Sequence, residues 1–223
     1  MSAKRRVLLS WSSGKDSAFA LRTLRQDPDV SVVGLLTTLD AAANRVAMHA
    51  VRRELVERQA ALIGLPLHTI DLPWPCPNAV YESAVRQALA HVDTAFDTVA
   101  FGDLFLADIR AYRESQMRRL GVPVEFPLWG RDTTELAQEM ITSGIDAIIT
   151  CVDPNQCPDA WAGRHFDTEF LADAPASVDR CGENGEFHTF VAASPDFGER
   201  IGVNVASLSR RDGFVIADLV PCD

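Results

Sequence analysis

Lysine is almost absent from this chain. Of its 21 Lys and Arg residues in 223, only Lys4 and Lys15 are lysines and the other 19 are arginines. Lys15 is the one lysine in the body of the sequence, within a Ser/Gly stretch, where a compact ammonium and a planar guanidinium fork are not interchangeable. Positive charge is scarce overall. Asp+Glu number 31, the formal net charge is −10, and a dedicated nucleic-acid binder, which accumulates Lys and Arg against phosphates, is not expected. No run approaches the 18 or so apolar residues of a membrane span. The apolar Val7-Leu8-Leu9 meets Ser10 too early for a secretory leader, so the chain is expected to be cytoplasmic and to have no membrane partner. The five cysteines (76, 151, 157, 181 and 222) include no pair with the two-residue gap of a zinc ribbon or redox site. They read as reduced thiols in a reducing compartment. With 47% apolar and 23% charged residues, the composition is that of a globular protein rather than a disordered or fibrous one.

The hydrophobic pattern alternates short apolar runs with helical periods over the first two-thirds. Strands are expected near residues 6–10, 31–38, 67–72, 98–101, 124–127 and 146–152. Helices are expected near 17–25, 48–63, 79–91, 107–120 and 133–143. Gly64 and Pro66 close the second helix, and Gly144 closes the fifth. This rhythm predicts an α/β fold, a doubly wound parallel sheet with helices on both faces, over residues 1–152. After Val152 the rhythm changes. Residues 153–180 are rich in Pro, Asp and Ala, and three strands follow, the last two joined by the hairpin turn Arg210-Arg211-Asp212-Gly213. A smaller α+β lobe is expected over residues 153–223.

Two motifs carry chemistry. Ser10-Trp11-Ser12-Ser13-Gly14-Lys15-Asp16-Ser17 follows the first strand and opens the first helix. Ligands of doubly wound sheets bind beyond the carboxyl ends of the strands, and a helix N-terminus there offers free N–H groups and a positive dipole end to an anion. Ser and Gly let the main chain wrap a phosphate, the hydroxyls donate, and Lys15 supplies charge. A Walker loop is excluded, because Leu9 stands where its first Gly belongs and Asp16 follows the lysine. No Gly-x-Gly-x-x-Gly follows the first strand either. The second motif is Cys181-Gly182-Glu183-Asn184-Gly185-Glu186-Phe187-His188-Thr189. On a strand, Glu186 and His188 would share a face as neighbours suited to binding a polar substrate or moving a proton.

The first motif resembles the SGGxDS loop of the PP-loop ATP pyrophosphatases, which split ATP between its α- and β-phosphates. Ser12, Gly14, Asp16 and Ser17 match, and Ser13 stands where Gly is usual. Combined with the second motif, the chain resembles the diphthine–ammonia ligase family, of adenine-nucleotide α-hydrolase-like (HUP-like) fold, over about residues 5–205. Met48-His49, Gly102-Asp103, Arg110 with Tyr112-Arg113-Glu114, and Pro127-Leu128-Trp129 join in the likeness.

The resemblance implies an AMP-forming carboxylate–ammonia ligase. A substrate carboxylate attacks the α-phosphate of ATP, pyrophosphate leaves, and ammonia displaces AMP. It implies ATP contacts from Ser10, Ser12, Ser13, Gly14, Lys15, Asp16, Ser17, Thr37, His49 and Gly102, with adenine near Leu36–Thr38. Magnesium would be held by Asp16, aided by Asp103. The acceptor would meet Asp103, Arg110, Glu114, Glu183, Asn184, Glu186, His188 and Thr189, with Arg110 as a bidentate clamp. Catalysis would rest on Lys15, Asp16, Glu186 and His188. The family's acceptor is diphthine, a modified histidine on a eukaryotic and archaeal elongation factor. The lysine-poor composition looks bacterial, and bacteria are not expected to make diphthamide, so the acceptor, a small molecule or a protein, stays open. A homo-oligomer stays open too. A tRNA-modifying sulfurtransferase is the enzymatic alternative and would want a reactive cysteine. A non-catalytic adenine-nucleotide binder is the other.

Overall fold

The computed structural model describes residues 3–222. Five strands form a parallel sheet in the order β4 (Leu67–Leu72), β2 (Val30–Asp40), β1 (Arg5–Ser10), β5 (Thr98–Ala100), β6 (Val124–Glu125). The two-residue β3 (Arg45–Val46) runs antiparallel to the end of β2. Successive residues of β1 point to opposite faces. Val7 and Leu9 enter a core with helices α1 (Lys15–Gln26) and α2 (Arg53–Ile63). Leu8 enters a second core with α3 (Asn78–Ala90) and α4 (Ala107–Arg119). Both faces are covered, which is why β1 reads as unbroken Val-Leu-Leu rather than as an alternation. The α/β class is the expected one.

Helix α2 begins five residues later than the periodicity suggests. Met48 and Ala50 have φ of +64° and +56°, so residues 44–52 form a tight turn that carries His49 before the helix starts at Arg53.

The remaining elements build an antiparallel sheet. β7 (Asp146–Val152) is its centre, with β9 (Phe187–Ala193) along one side and β8 (His165–Phe166) and β11 (Phe214–Pro221) along the other. β10 (Val203–Arg211) lies outside β11. Helices α5 (Thr133–Thr142) and α6 (Thr168–Asp173) complete the lobe. This corrects the sequence reading at one point. Residues 146–152 do not close the parallel sheet, so the change of architecture comes near residue 130 rather than after Val152. A short apolar run bounded by a helix and a turn fits a central strand of either sheet type, and periodicity alone does not choose.

The lobes are tied together beside the phosphate loop. The Val191 N–H on β9 donates to the Ser13 carbonyl at 2.9 Å. Asp218 of β11 accepts from Arg52 at 3.0 and 2.8 Å and from Arg45 at 2.8 Å, which holds its carboxyl well below the usual range. Among the described residues, no helix is long and apolar enough to cross a membrane.

Candidate functional site

The phosphate loop is fixed from behind. Ser13 adopts φ +71°, and its carbonyl accepts from Val191 N and from Gln59 Nε2 at 3.1 Å. The same Gln59 amide donates to the Val191 carbonyl at 2.7 Å and accepts from Trp11 Nε1 at 2.9 Å. The Lys15 N–H donates to Thr189 Oγ1 at 3.0 Å. Ser17 Oγ donates to the Gly14 carbonyl at 2.9 Å, and Ser12 Oγ bonds Ser17 Oγ at 3.3 Å. A Cβ on Gly14 would stand 2.9 Å from the His49 ring, so that ring can lie over the loop only because position 14 is glycine. These bonds leave Ser10, Ser12, Asp16 and Ser17 lining a cavity of about 340 Å³. Across it lie Gly182, Glu183 and His188 from the other lobe, and beside it His49, Gly102 and Asp103.

Lys15 does not line this cavity. The residue is 1% exposed, and its side chain runs between the rings of Phe166 and Phe187, with Nζ 5.4 and 5.3 Å from their centroids. Nζ donates to both Asp16 carboxylate oxygens at 3.0 and 2.9 Å and to the Cys181 carbonyl. Burial alone would lower its pKa, but the Asp16 carboxylate, with Cys181 and Glu183 adding to it, raises it and holds the ammonium charged. The expected phosphate contact is therefore corrected to an internal tie between Asp16 and the second motif.

Glu186 and His188 are not the partners that strand alternation suggested. Glu186, 1% exposed, accepts from the Asp179 N–H at 2.9 Å and from Asn184 Nδ2 at 3.0 Å, away from the cavity. Its Oε1 and the Asn184 amide thus shape the 179–186 loop, while Glu186 Oε2 is buried without a partner. His188 instead meets His49, with ring centroids 4.6 Å apart. Burial lowers the His49 pKa to about 4, with the Lys15 charge adding to it. Burial, His49 and Lys15 push that of His188 down as well. The cavity thus holds two neutral imidazoles. Glu183 is the carboxyl that faces it. Leu104 N donates to one of its oxygens at 2.7 Å, and burial, reinforced by the Asp16 and Asp103 carboxylates, raises its pKa to about 7.

Asp103 lines the cavity but is held by Arg113 at 2.6 and 3.2 Å, and Arg113 lines it too. Arg110 and Glu114 do not. They pair with each other at 2.8 Å, and the Arg110 guanidinium packs on Phe126 and Trp129. Thr37 is also turned away, its hydroxyl donating to the Trp11 carbonyl at 2.8 Å, while Leu36 and Thr38 face the cavity. The period of two along β2 already separated them. Thr189 serves the loop through Lys15 N. Gly102 is needed for packing, since a Cβ would come 3.2 Å from the Asp16 backbone.

Gln59 and Arg113 carry more of the site than their surroundings in the sequence suggest. Arg113 sits three residues after Arg110, one turn further along the same helix. Nothing local marks Gln59, whose partners are 46 or more residues away. Burial pushes the Cys151 and Cys157 thiols up to about 12 and about 11, and that of Cys181 higher still, which leaves these three thiols inert.

With this geometry in hand, the likeness to known proteins can be read on the structure. The family model for the diphthamide synthase N-terminal domain matches residues 5–124, and that for the C-terminal domain matches residues 132–215. The chain belongs to the diphthamide synthase family. The interval between the two matches falls between β6 and α5, where the parallel sheet gives way to the antiparallel one. A zebrafish (Danio rerio) protein named diphthine–ammonia ligase is 29% identical over 218 residues, covering 88% of this chain and 85% of that protein. A cattle (Bos taurus) protein of the same name is 35% identical over 105 residues, covering 44% of this chain and 39% of that protein. In diphthamide synthase terms, the loop at residues 12–17 is N-terminal domain and the loop at 181–189 is C-terminal domain, and one cavity uses both.

Proposed function

We propose that this diphthamide synthase family member is an ATP-dependent amide-forming ligase of the diphthine–ammonia ligase type. The acceptor carboxylate attacks the α-phosphorus of ATP, the bond to the β-phosphate oxygen breaks, and pyrophosphate leaves. Ammonia then adds to the acyl carbon, the bond to AMP breaks, and the departing nitrogen proton goes to a base. The observation that carries this reading is the loop at 12–17, placed at the end of β1 with Ser12, Asp16 and Ser17 lining a cavity that Glu183 faces from the other lobe.

Ser12, Ser17 and the N–H groups of Asp16 and Ser17 in the first turn of α1 hold the phosphates, the Lys15 N–H being taken by Thr189. Among the described residues no group of three His, Cys, Asp or Glu side chains is gathered for a metal. Asp16 reaches the cavity from the loop, which suits magnesium, an ion that takes one or two protein carboxylates and the rest of its oxygens from phosphates and water. Bound there, magnesium would neutralise charge on the phosphates. Lys15, gripping Asp16, fixes the direction of that carboxylate. Glu183, with a pKa of about 7, takes the proton released as the amide forms. The neutral His49 and His188 imidazoles hydrogen-bond the acceptor without adding positive charge. A sulfur-transferring reading is disfavoured because no cysteine is among the described residues lining the cavity.

The test is phosphorus NMR of the protein with ATP, magnesium, ammonium chloride and a cell extract as the source of acceptor. Ammonia-dependent AMP and pyrophosphate are expected. ADP and orthophosphate as the sole products would overturn the assignment.

A further inference from the structure

The cavity does not stop at the phosphate loop. It continues down between α3 and α4, over the face of the parallel sheet, where Ile70, Val85, Leu89, Val99 and Met117 line it. Each helix leaves room by burying few residues. Only Val85 and Leu89 of α3, and Gln116 and Met117 of α4, are buried. Gln116 stands out in this apolar setting. It is 3% exposed, lines the cavity, and its side-chain nitrogen has no partner in the protein. A buried, unpaired amide costs about 1–3 kcal/mol of stability, and such a group in an otherwise apolar pocket is the usual means of orienting a ligand.

The compartment also leads away from the strand ends. Gln116 lies nine residues into α4 from Ala107, about 14 Å along the helix axis. A nucleotide anchored at residues 12–17 has its polar partners at the strand ends, whereas this floor is mostly apolar, with Tyr81 and the Asp103-bound Arg113 nearer the first turns of α3 and α4 and the Gln116 amide deeper along α4.

We propose that the compartment between α3 and α4 binds the body of the acceptor, a small carboxylic acid with a compact apolar body bearing one hydrogen-bond-accepting atom, which Gln116 Nε2 meets. The carboxylate points back toward the phosphate loop. This rests on the ligase reading above for the acid group, but the site itself is tested by binding alone.

The experiment compares two probes of the same shape, 3-(pyridin-3-yl)propanoate and 3-phenylpropanoate, by calorimetry at millimolar concentration. The proteins are wild type, Gln116→Met and Val85→Phe, and ATP affinity is measured on each. Gln116→Met removes an unpaired amide at similar length, so it is expected to fold at least as well as wild type. Wild type should bind the pyridyl acid about five- to tenfold more tightly than the phenyl acid, the worth of one hydrogen bond. Gln116→Met should abolish that preference, Val85→Phe should weaken both acids, and ATP affinity should stay within about twofold in each folded variant, as for a substitution away from the ligand. Failure of both acids to bind wild type would overturn the proposal. So would a pyridyl preference that survives in Gln116→Met, or a tenfold loss of ATP affinity in that variant, which would give the compartment to the nucleotide base. If the acids fail to bind while AMP and pyrophosphate still form, only the compartment is lost. If ADP forms while the acids bind, only the reaction is.

Discussion

The loop at 12–17 and the loop at 181–189 face the same cavity, yet they hold their polar groups in opposite ways. The first is tied from behind by groups belonging to other segments, Gln59, Val191 and Thr189, so Ser12, Asp16 and Ser17 still line the cavity. The second is tied largely by itself. Asp179 Oδ1 accepts from the N–H groups of Cys181 and Glu183 at 3.0 and 3.1 Å, and Glu186 accepts from Asp179 and Asn184. Of its charged groups only Glu183 is left to the cavity. A loop that borrows its scaffold can offer many ligands, whereas one that supplies its own can offer few.

Substitutions can break that contrast, and the largest effect is expected at Lys15. Removing a buried cation that grips a carboxylate should cost about 3–5 kcal/mol of folding free energy. Urea titration of Lys15→Met should show a loss of that size, while Ser12→Ala should change stability by no more than about 0.5 kcal/mol and weaken ATP binding instead. Equal stability of the two variants would show that Lys15 is not a tie. Next comes Glu186→Ala, which strands the Asp179 N–H and the Asn184 amide and should lower stability by about 2–3 kcal/mol. If Glu186 belongs to the scaffold, ATP affinity of the folded variant should be unchanged by calorimetry.

Glu183 and His49, both lining the cavity, should also respond to acid with opposite signs. Glu183, raised to about 7 from an ordinary 4.5, takes up a proton on folding between those values, so its contribution to stability falls as pH rises from 4.5 to 7. His49, lowered to about 4 from 6.5, stays neutral in the fold, so its contribution is present above pH 6.5 and is lost as pH falls toward 4. Stability profiles against pH should therefore diverge from wild type in opposite directions for Glu183→Gln and His49→Gln. Each difference should be about 1–2 kcal/mol across its window, after allowing for partial solvent screening. Parallel profiles would remove the electrostatic contrast. The smallest expected effect is at Ser13, where φ +71° and an unpartnered buried hydroxyl are both relieved in Ser13→Gly. A gain of about 0.5 kcal/mol should appear as a higher melting temperature, net of the added freedom of glycine in the unfolded chain.

Much of the first lobe could be read from the sequence, because its signals are local. Strand, Ser/Gly turn and helix follow one another closely, and the apolar runs of β1 and β2 match strands buried on both faces. The same locality misled at β7, whose apolar run has the same appearance in a parallel or an antiparallel sheet. It misled again at Glu186 and His188, where a period of two suggested a pair. Glu186 comes just before β9 begins and turns into its own loop, while His188 finds His49 from 139 positions upstream. Lys15 was legible as special and misread in role. What singles it out is a narrow slot between two phenylalanine rings that ends on a carbonyl, a shape that admits an ammonium. Gln59 left no trace, since its value lies wholly in three long-range bonds.

The border between the two family domains has a consequence for inheritance. It runs through the site rather than around it. Cutting the chain near residue 130 would part Lys15 from Cys181 and Thr189, Ser13 and Gln59 from Val191, and Leu104 from Glu183. Neither half would keep a finished phosphate loop, so a foreign counterpart of either lobe would have to bring the same cross-lobe partners to complete it. The two domains are separable as patterns in sequence, but as working parts they form a single heritable unit.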